Sequence, residues 1–507
     1  MDYINKHKYL FLFSLGLIIF VVYQCNFLST PYFWGELGVY IPAARQMNDA
    51  GTISLLPSSL DPLYSRGHPL LYTFCNAAIF HIFGESVIVA HGFALFLAIV
   101  FLGSFYYIVC DLFEARIAFY ACILFAIQPV FMAMSVISLP EMLLAIFTTW
   151  SLWSLIRSKW YLYSLFGSLA IMTKESAIVV LGIAFLYFMI NWVLKFPYFS
   201  RDKQLKIFIC ISIPLLVYVL FLCIQKIQNG WFFFPEHIGY LHLSLMQFFN
   251  TNVRMIKTFF LNKSNFLVGI PAIIYLAMVL INWKRASNVY LMMALFIVAA
   301  FLFSNFNFYL PRYLLFVVPW IILFGVTGID KFINKYFAEK PGYQYFVGLY
   351  LLGACACAVN HWDNDRFNDT FDVSYRKVVN LVKETTDWVS NQPWKNKPIE
   401  ANFPVFQALQ ESRNGYVSKP YFISVNFQWP CEYGVFYRMK GEELFKMPHN
   451  GYYVKRLFDA AIGFHKTSEN DSYYAIKSEN LLRKKIEYEV IKIFYNEFAE
   501  VQVVKFL

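Results

Sequence analysis

The sequence predicts an all-α polytopic membrane protein of about eleven transmembrane helices, closed by a small extracytoplasmic α/β domain. The first observation behind this is composition. Of 507 residues, 59% are apolar, 20% aromatic and 15% charged, whereas soluble domains carry about a quarter charged residues. The second is where the charge lies. Residues 1–360 hold 22 basic and 13 acidic side chains, whereas residues 361–507 hold 20 and 19 in less than half the length. The chain therefore divides into a membrane domain, 1–360, and a soluble domain, 361–507. The third is topology: nearly all of the net charge of +10 falls in the membrane domain, where it marks sidedness rather than nucleic-acid binding.

A crossing takes about 20 apolar residues. Candidate spans lie at 9–28, 87–110, 116–136, 139–156, 206–225, 265–282, 289–306, 313–329 and 342–360. The first is flanked by Lys6 and Lys8 and lacks a small-residue cleavage site, so it reads as an anchor. The run 160–194 is too long for one crossing. Basic residues flank both of its ends (Arg157, Lys159; Lys195, Arg201, Lys203), and the positive-inside rule puts both ends in the cytoplasm. It must cross twice, as two short helices with a turn near Met172-Thr173-Lys174-Glu175. Short or broken helices at membrane depth need protein or a wet cavity around them, so Lys174 is expected beside an outward-facing cavity. The N-terminus is then cytoplasmic and residues 361–507 extracytoplasmic.

Cysteine contributes no chemistry. Eight of nine lie in or beside apolar runs, where thiols behave as small hydrophobes. Cys431 alone falls in the tail, which therefore closes no internal disulfide. No Walker loop or dinucleotide glycine pattern occurs, which removes the case for nucleotide hydrolysis.

The outward loops gather the polar residues that could do chemistry. The first, about 29–86, contains Trp34-Gly35-Glu36-Leu37-Gly38-Val39-Tyr40, Arg66-Gly67-His68-Pro69-Leu70-Leu71-Tyr72 and Phe83-Gly84. Later turns hold Pro140-Glu141, Thr173-Lys174, Trp231-Phe232-Phe233-Phe234-Pro235-Glu236-His237-Ile238 and Pro311-Arg312-Tyr313. Ionisable groups at membrane depth are costly, so they pair or serve a substrate. Acids, cations and histidines on one membrane face suit a phosphate leaving group and a hydroxyl acceptor. Each residue also has a plainer reading. Glu36 and Glu141 can cap helices, Lys174 can pair with Glu175, Arg312 can anchor at headgroups, and Trp231–Phe234 can form an interfacial belt.

In order and spacing these motifs resemble the GT-C membrane glycosyltransferases, in the branch of lipid A aminoarabinose transferase and the protein O-mannosyltransferases. That family has an acidic pair before x-x-Tyr and then Arg-x-Met, matched by Glu36-Leu37-Gly38-Val39-Tyr40 and Arg45-Gln46-Met47. His68-Pro69-Leu70-Leu71-Tyr72, Phe83-Gly84, Glu141, Met172-Thr173-Lys174, Glu236-His237-Ile238 and Arg312-Tyr313 follow in the family's order, over about residues 9–330. The departures are Glu36 for the usual Asp, Leu37 for the second acid and Gly67-His68 for Glu-Lys.

The resemblance implies a polyprenyl-phosphate sugar as donor, a lipid, glycan or protein acceptor outside, and inversion by direct displacement. It makes Glu36 the catalytic base with Glu141 a second catalytic acid. Arg312, Lys174 and His68 would line the donor phosphate, and His237 would hold a divalent cation where one binds, with no cofactor required. The location implied is a bacterial inner membrane. Two other readings stand beside it: a lipid-linked glycan transporter, and a catalytically inactive glycan-binding relative.

Overall fold

The computed structural model describes residues 2–194, 204–235, 244–305, 310–337, 343–360, 372–424, 431–439 and 488–507. By their contacts these residues form two units. One takes residues 2–28, those from 38 to 360, and 372–373. The other takes Ser29–Leu37 together with residues from Ser374 onward. The first outer loop is thus divided, its opening stretch belonging to the same unit as the tail.

The helices, in chain order, are α1 (Asp2–Cys25), α2 (Trp34–Leu37), α3 (Tyr40–Asp49), α4 (Pro62–Ser65), α5 (Leu71–Phe83), α6 (Val87–Leu112) and α7 (Ala115–Ala126). Then come α8 (Pro129–Met134), α9 (Glu141–Ile156), α10 (Trp160–Thr173), α11 (Ile178–Leu194) and α12 (Gln204–Asn229). The last are α13 (Leu245–Phe259), α14 (Phe266–Ile281), α15 (Asn288–Phe303), α16 (Val318–Phe337), α17 (Tyr343–Asn360), α18 (Tyr375–Ser390) and α19 (Val405–Gln410). All but α2, α18 and α19 lie in the first unit.

Among the described residues three helices are long and apolar enough to cross a bilayer by themselves: His7–Cys25, Val87–Leu112 and Gln204–Asn229. Seven further apolar helices run 10–17 residues. Helix length alone therefore accounts for three crossings, not eleven. The expected span 116–136 is broken into α7 and α8. Pro129 forces Gln128 out of the helical region, to ψ 136°, because its ring collides with the preceding residue's backbone. The run 160–194 divides at the predicted place. Lys174 is extended (φ −161°, ψ 141°) between α10 and a 3₁₀ turn at Glu175–Ala177.

Large apolar side chains are exposed along several of these helices, among them Phe11, Ile18, Val22, Leu216, Leu220, Ile274, Ile281 and Leu349. Such faces are stable where the solvent is hydrocarbon. The interior is aromatic. Phe101, Phe105, Phe125, Phe131, Phe296 and Trp320 are fully buried, with Phe125 and Phe131 ring centroids 4.5 Å apart and Phe105 edge-on to Trp320 at 5.8 Å. Helices α14 and α16 touch backbone to backbone, since a Cβ on Gly325 would overlap the carbonyl oxygen of Val268. Small residues permit this approach between membrane helices.

The second unit is a small α/β unit. Its five strands, Ile399–Ala401, Ile423–Ser424, Tyr433–Met439, Tyr488–Tyr495 and Ala499–Phe506, are β1 to β5 and lie in the order β2-β1-β3-β5-β4. β1 is parallel to β2 and β3, and the β3–β5 and β5–β4 pairs are antiparallel. Helix α18 covers the sheet, with Trp388 edge-on to Phe494 at 5.8 Å.

Candidate active site

In the first unit, three turns bring charge to one place. Glu141 opens α9 directly after Pro140, where the helix N-terminus favours a carboxylate. Lys174 comes from the break between α10 and α11. Arg312 comes from a 3₁₀ turn, Pro311–Leu314, ahead of α16. Lys174 Nζ donates to Glu141 Oε1 at 2.8 Å, and Arg312 Nε lies 3.7 Å from the same oxygen. The Lys174 ammonium also stands 3.7 Å over the Tyr313 ring, with the Arg312 guanidinium 5.3 Å from it. All three charged residues are buried, Glu141 at 2% exposure and the two cations at 8%. Two cations share one carboxylate in a place where a lone charge would be expelled.

His68 stands beside this cluster through a second pair. Its Nδ1 is 2.7 Å from Glu175 Oε1, so the residue next to Lys174 pairs with His68 and not with Lys174 itself. Two successive left-handed residues, Arg66 (φ 47°) and Gly67 (φ 72°), set His68 in position. A Cβ on Gly67 would stand 2.9 Å from the Trp231 ring, which gives Trp231 a packing partner beyond an interfacial role.

Tyr40 joins the two pairs. Its ring is 6.0 Å from His68 and edge-on to Tyr72 at 5.7 Å. Burial raises its phenol well above the ordinary value, and the charges of Glu141 and Glu175 raise it further. It is a hydrogen-bond donor that stays protonated. Behind it, Tyr72 Oη is 2.9 Å from Ser138 Oγ, which donates to Asn76 Oδ1 at 3.1 Å. This buried chain fixes the turn that ends in Glu141. Sequence reasoning assigned no role to Tyr40, Asn76, Ser138 or Tyr313. The available signal was Asn76, an amide within an otherwise apolar helical run.

Glu36 belongs to the second unit. It is 1% exposed, and its Oε2 accepts the Phe33 backbone N–H at 2.8 Å. With Phe33 preceding α2, this is the glutamate half of a capping box. The segment is anchored by Tyr32 N–H donating to Asn414 O at 3.2 Å and Tyr416 O–H donating to Tyr32 O at 2.8 Å. Burial, and secondarily the Glu36 charge, push the Tyr416 phenol far up, so it remains the donor. His237, with the whole Glu236–Ile238 motif, lies outside the described residues. Among the described residues no group of three or more His, Cys, Asp or Glu could hold a metal ion.

The comparisons with known proteins agree with this architecture. A family model described as dolichyl-phosphate-mannose-protein mannosyltransferase matches residues 67–218, the stretch that contains His68, Glu141 and Lys174. Among solved structures the chain resembles ArnT from Cupriavidus metallidurans in the apo state, at 12% identity over 98% of both chains with a TM-score of 0.57. The same protein bound to undecaprenyl phosphate matches at 12% identity over 98% of both chains, TM-score 0.53. The Archaeoglobus fulgidus oligosaccharyltransferase in the apo form matches at 11% identity over 97% of this chain and 70% of that one, TM-score 0.50. No curated protein matches the sequence. The likeness to these solved structures is one of fold.

Proposed function

We propose that the protein transfers a sugar from a polyprenyl-phosphate carrier to an acceptor outside a bacterial inner membrane, with inversion at the anomeric carbon. The observation that carries this reading is the Lys174–Glu141–Arg312 cluster. It is a buried pair of cations on one carboxylate, built from three turns on the face where the positive-inside count puts the exterior. Cations placed in this way suit a lipid-linked phosphate. The undecaprenyl phosphate bound by the similar ArnT structure supports that class of ligand.

In this scheme the acceptor hydroxyl oxygen attacks the anomeric carbon. The bond from that carbon to the phosphate oxygen breaks, and the electron pair leaves with the lipid phosphate. Arg312 and Lys174 stabilise the charge that develops there. Glu141 holds the two cations in register before the donor arrives. The acceptor proton goes to Glu36, an assignment that rests on its sequence motif. His68, paired with Glu175 and tilted against the Tyr40 ring, borders the phosphate. The scheme itself requires no metal, and His237, which would hold a divalent cation where one binds, lies outside the described residues.

The direct test is transfer of labelled sugar from polyprenyl-phosphate donors to a membrane and periplasmic extract, comparing wild type with Glu36→Gln. Transfer by wild type and loss in the variant, with donor binding retained, supports the scheme. Equal transfer by both removes Glu36 as the base. Absence of transfer from every donor tried moves the transporter and inactive-relative readings ahead.

A further inference from the structure

The end of α16 remote from Arg312 carries a second basic site. Lys331 lies thirteen residues beyond the first residue of α16, about 20 Å along its axis. There, a pocket of about 400 Å³ opens between α14, the 282–287 connection, α15 and α16, lined by Tyr275, Met278, Asn282, Arg285, Tyr290 and Lys331. Pockets of this size hold small ligands or headgroups. The Lys331 ammonium accepts no freedom from its surroundings: it donates to Tyr275 Oη at 2.6 Å and stands 4.1 Å over the Tyr290 ring. Two tyrosines thus aim a cation into the opening. Arg285 is exposed at the rim. No carboxylate lines the pocket. The neighbouring acid, Asp330, is spent on Arg116 at 2.8 Å and Asn334 at 3.0 Å.

The apolar side of the same place decides what kind of anion fits. Ile274, Met278 and Ile281 are 57%, 54% and 78% exposed and recur at helical spacing along α14, so they form one face. Met278 belongs both to that face and to the pocket. A free phosphate would use only the cations, whereas a phospholipid uses both parts. Its phosphate meets Lys331 and Arg285 while its acyl chains run along Ile274, Met278 and Ile281. Basic pockets between membrane helices are suited to anionic headgroups. We infer that this pocket binds the headgroup of an anionic phospholipid, at a site separate from the Glu141 cluster and independent of the transfer reaction.

Native mass spectrometry of the full-length protein in mild detergent, titrated with phosphatidylglycerol or phosphatidylcholine, tests this. The wild type should retain phosphatidylglycerol preferentially. Arg285→Gln, at an exposed position, should weaken that binding about fivefold, and Arg285→Gln with Lys331→Gln about thirtyfold. Lys383→Gln, in the second unit, should leave it unchanged. Should the double variant fail to fold, the single Arg285→Gln variant decides. Equal retention of the two lipids by wild type, or undiminished phosphatidylglycerol binding in Arg285→Gln, overturns the inference. Displacement by millimolar inorganic phosphate or glycerol phosphate overturns it too, by showing a site for free anions.

Discussion

Lys174 follows Glu141 by 33 residues, yet its Nζ stands 2.8 Å from Glu141 Oε1, inside protein and over the face of Tyr313. Neither residue can be there alone. Each charge is tolerated because the other balances it, and Arg312 Nε lies 3.7 Å from the same oxygen.

Glu141→Gln should therefore be the most destabilising single change in the cluster. It removes the carboxylate to which Lys174 Nζ donates and which Arg312 faces, a loss of about 3–5 kcal/mol. Thermal unfolding in detergent should show a large drop in midpoint, partly recovered by adding polyprenyl phosphate. No recovery would mean that the cluster is not an anion site.

Arg312→Gln and Lys174→Met should each lower transfer on the order of a hundredfold, by removing charge aimed at the leaving phosphate. The measurement is single-turnover transfer at saturating acceptor. A change in acceptor affinity alone, with turnover intact, would contradict the phosphate role.

Glu36 separates into two effects. Glu36→Gln keeps a carbonyl oxygen for the Phe33 N–H and should fold normally while losing about a hundredfold or more in transfer. Glu36→Ala also loses the cap and should cost about 1 kcal/mol of stability, read by denaturant unfolding.

Gly67→Ala should misplace His68. Its backbone at φ 72° disfavours any Cβ, and that Cβ would press on the Trp231 ring. A destabilisation of about 1–3 kcal/mol is expected. Trp231→Leu should relieve part of it, which a double-mutant cycle would measure.

Much of this was legible in the chain. Basic residues at both ends of 160–194 required a break, which the structure has at Lys174. Glu141 was legible as an acid at the edge of an apolar helix, although the span was expected from 139 and the helix begins at Glu141. What was hidden has a common cause. His68 and Glu175 are 107 positions apart, and Asn76 and Ser138 are 62 apart. Neither pairing leaves a periodicity or a spacing to read. The attachment of Ser29–Leu37 to the tail's unit depends on bonds such as Tyr416 to Tyr32, 384 positions apart. The break of 116–136 at Pro129 was visible as a proline, but a hydropathy run passes over it. Of eleven expected crossings, the lengths of the described helices account for three, because runs such as α9, α14 and α15 have 16 residues each.

The backbone contact between Gly325 and Val268 has a mechanical meaning. Helices joined by interdigitated long side chains can slide as those side chains change rotamer, but two backbones in contact have nothing to rearrange. α14 and α16 are therefore coupled at that contact, and a shift of one there carries the other, with Arg312 in the turn just ahead of α16 and Arg285 in the connection just after α14.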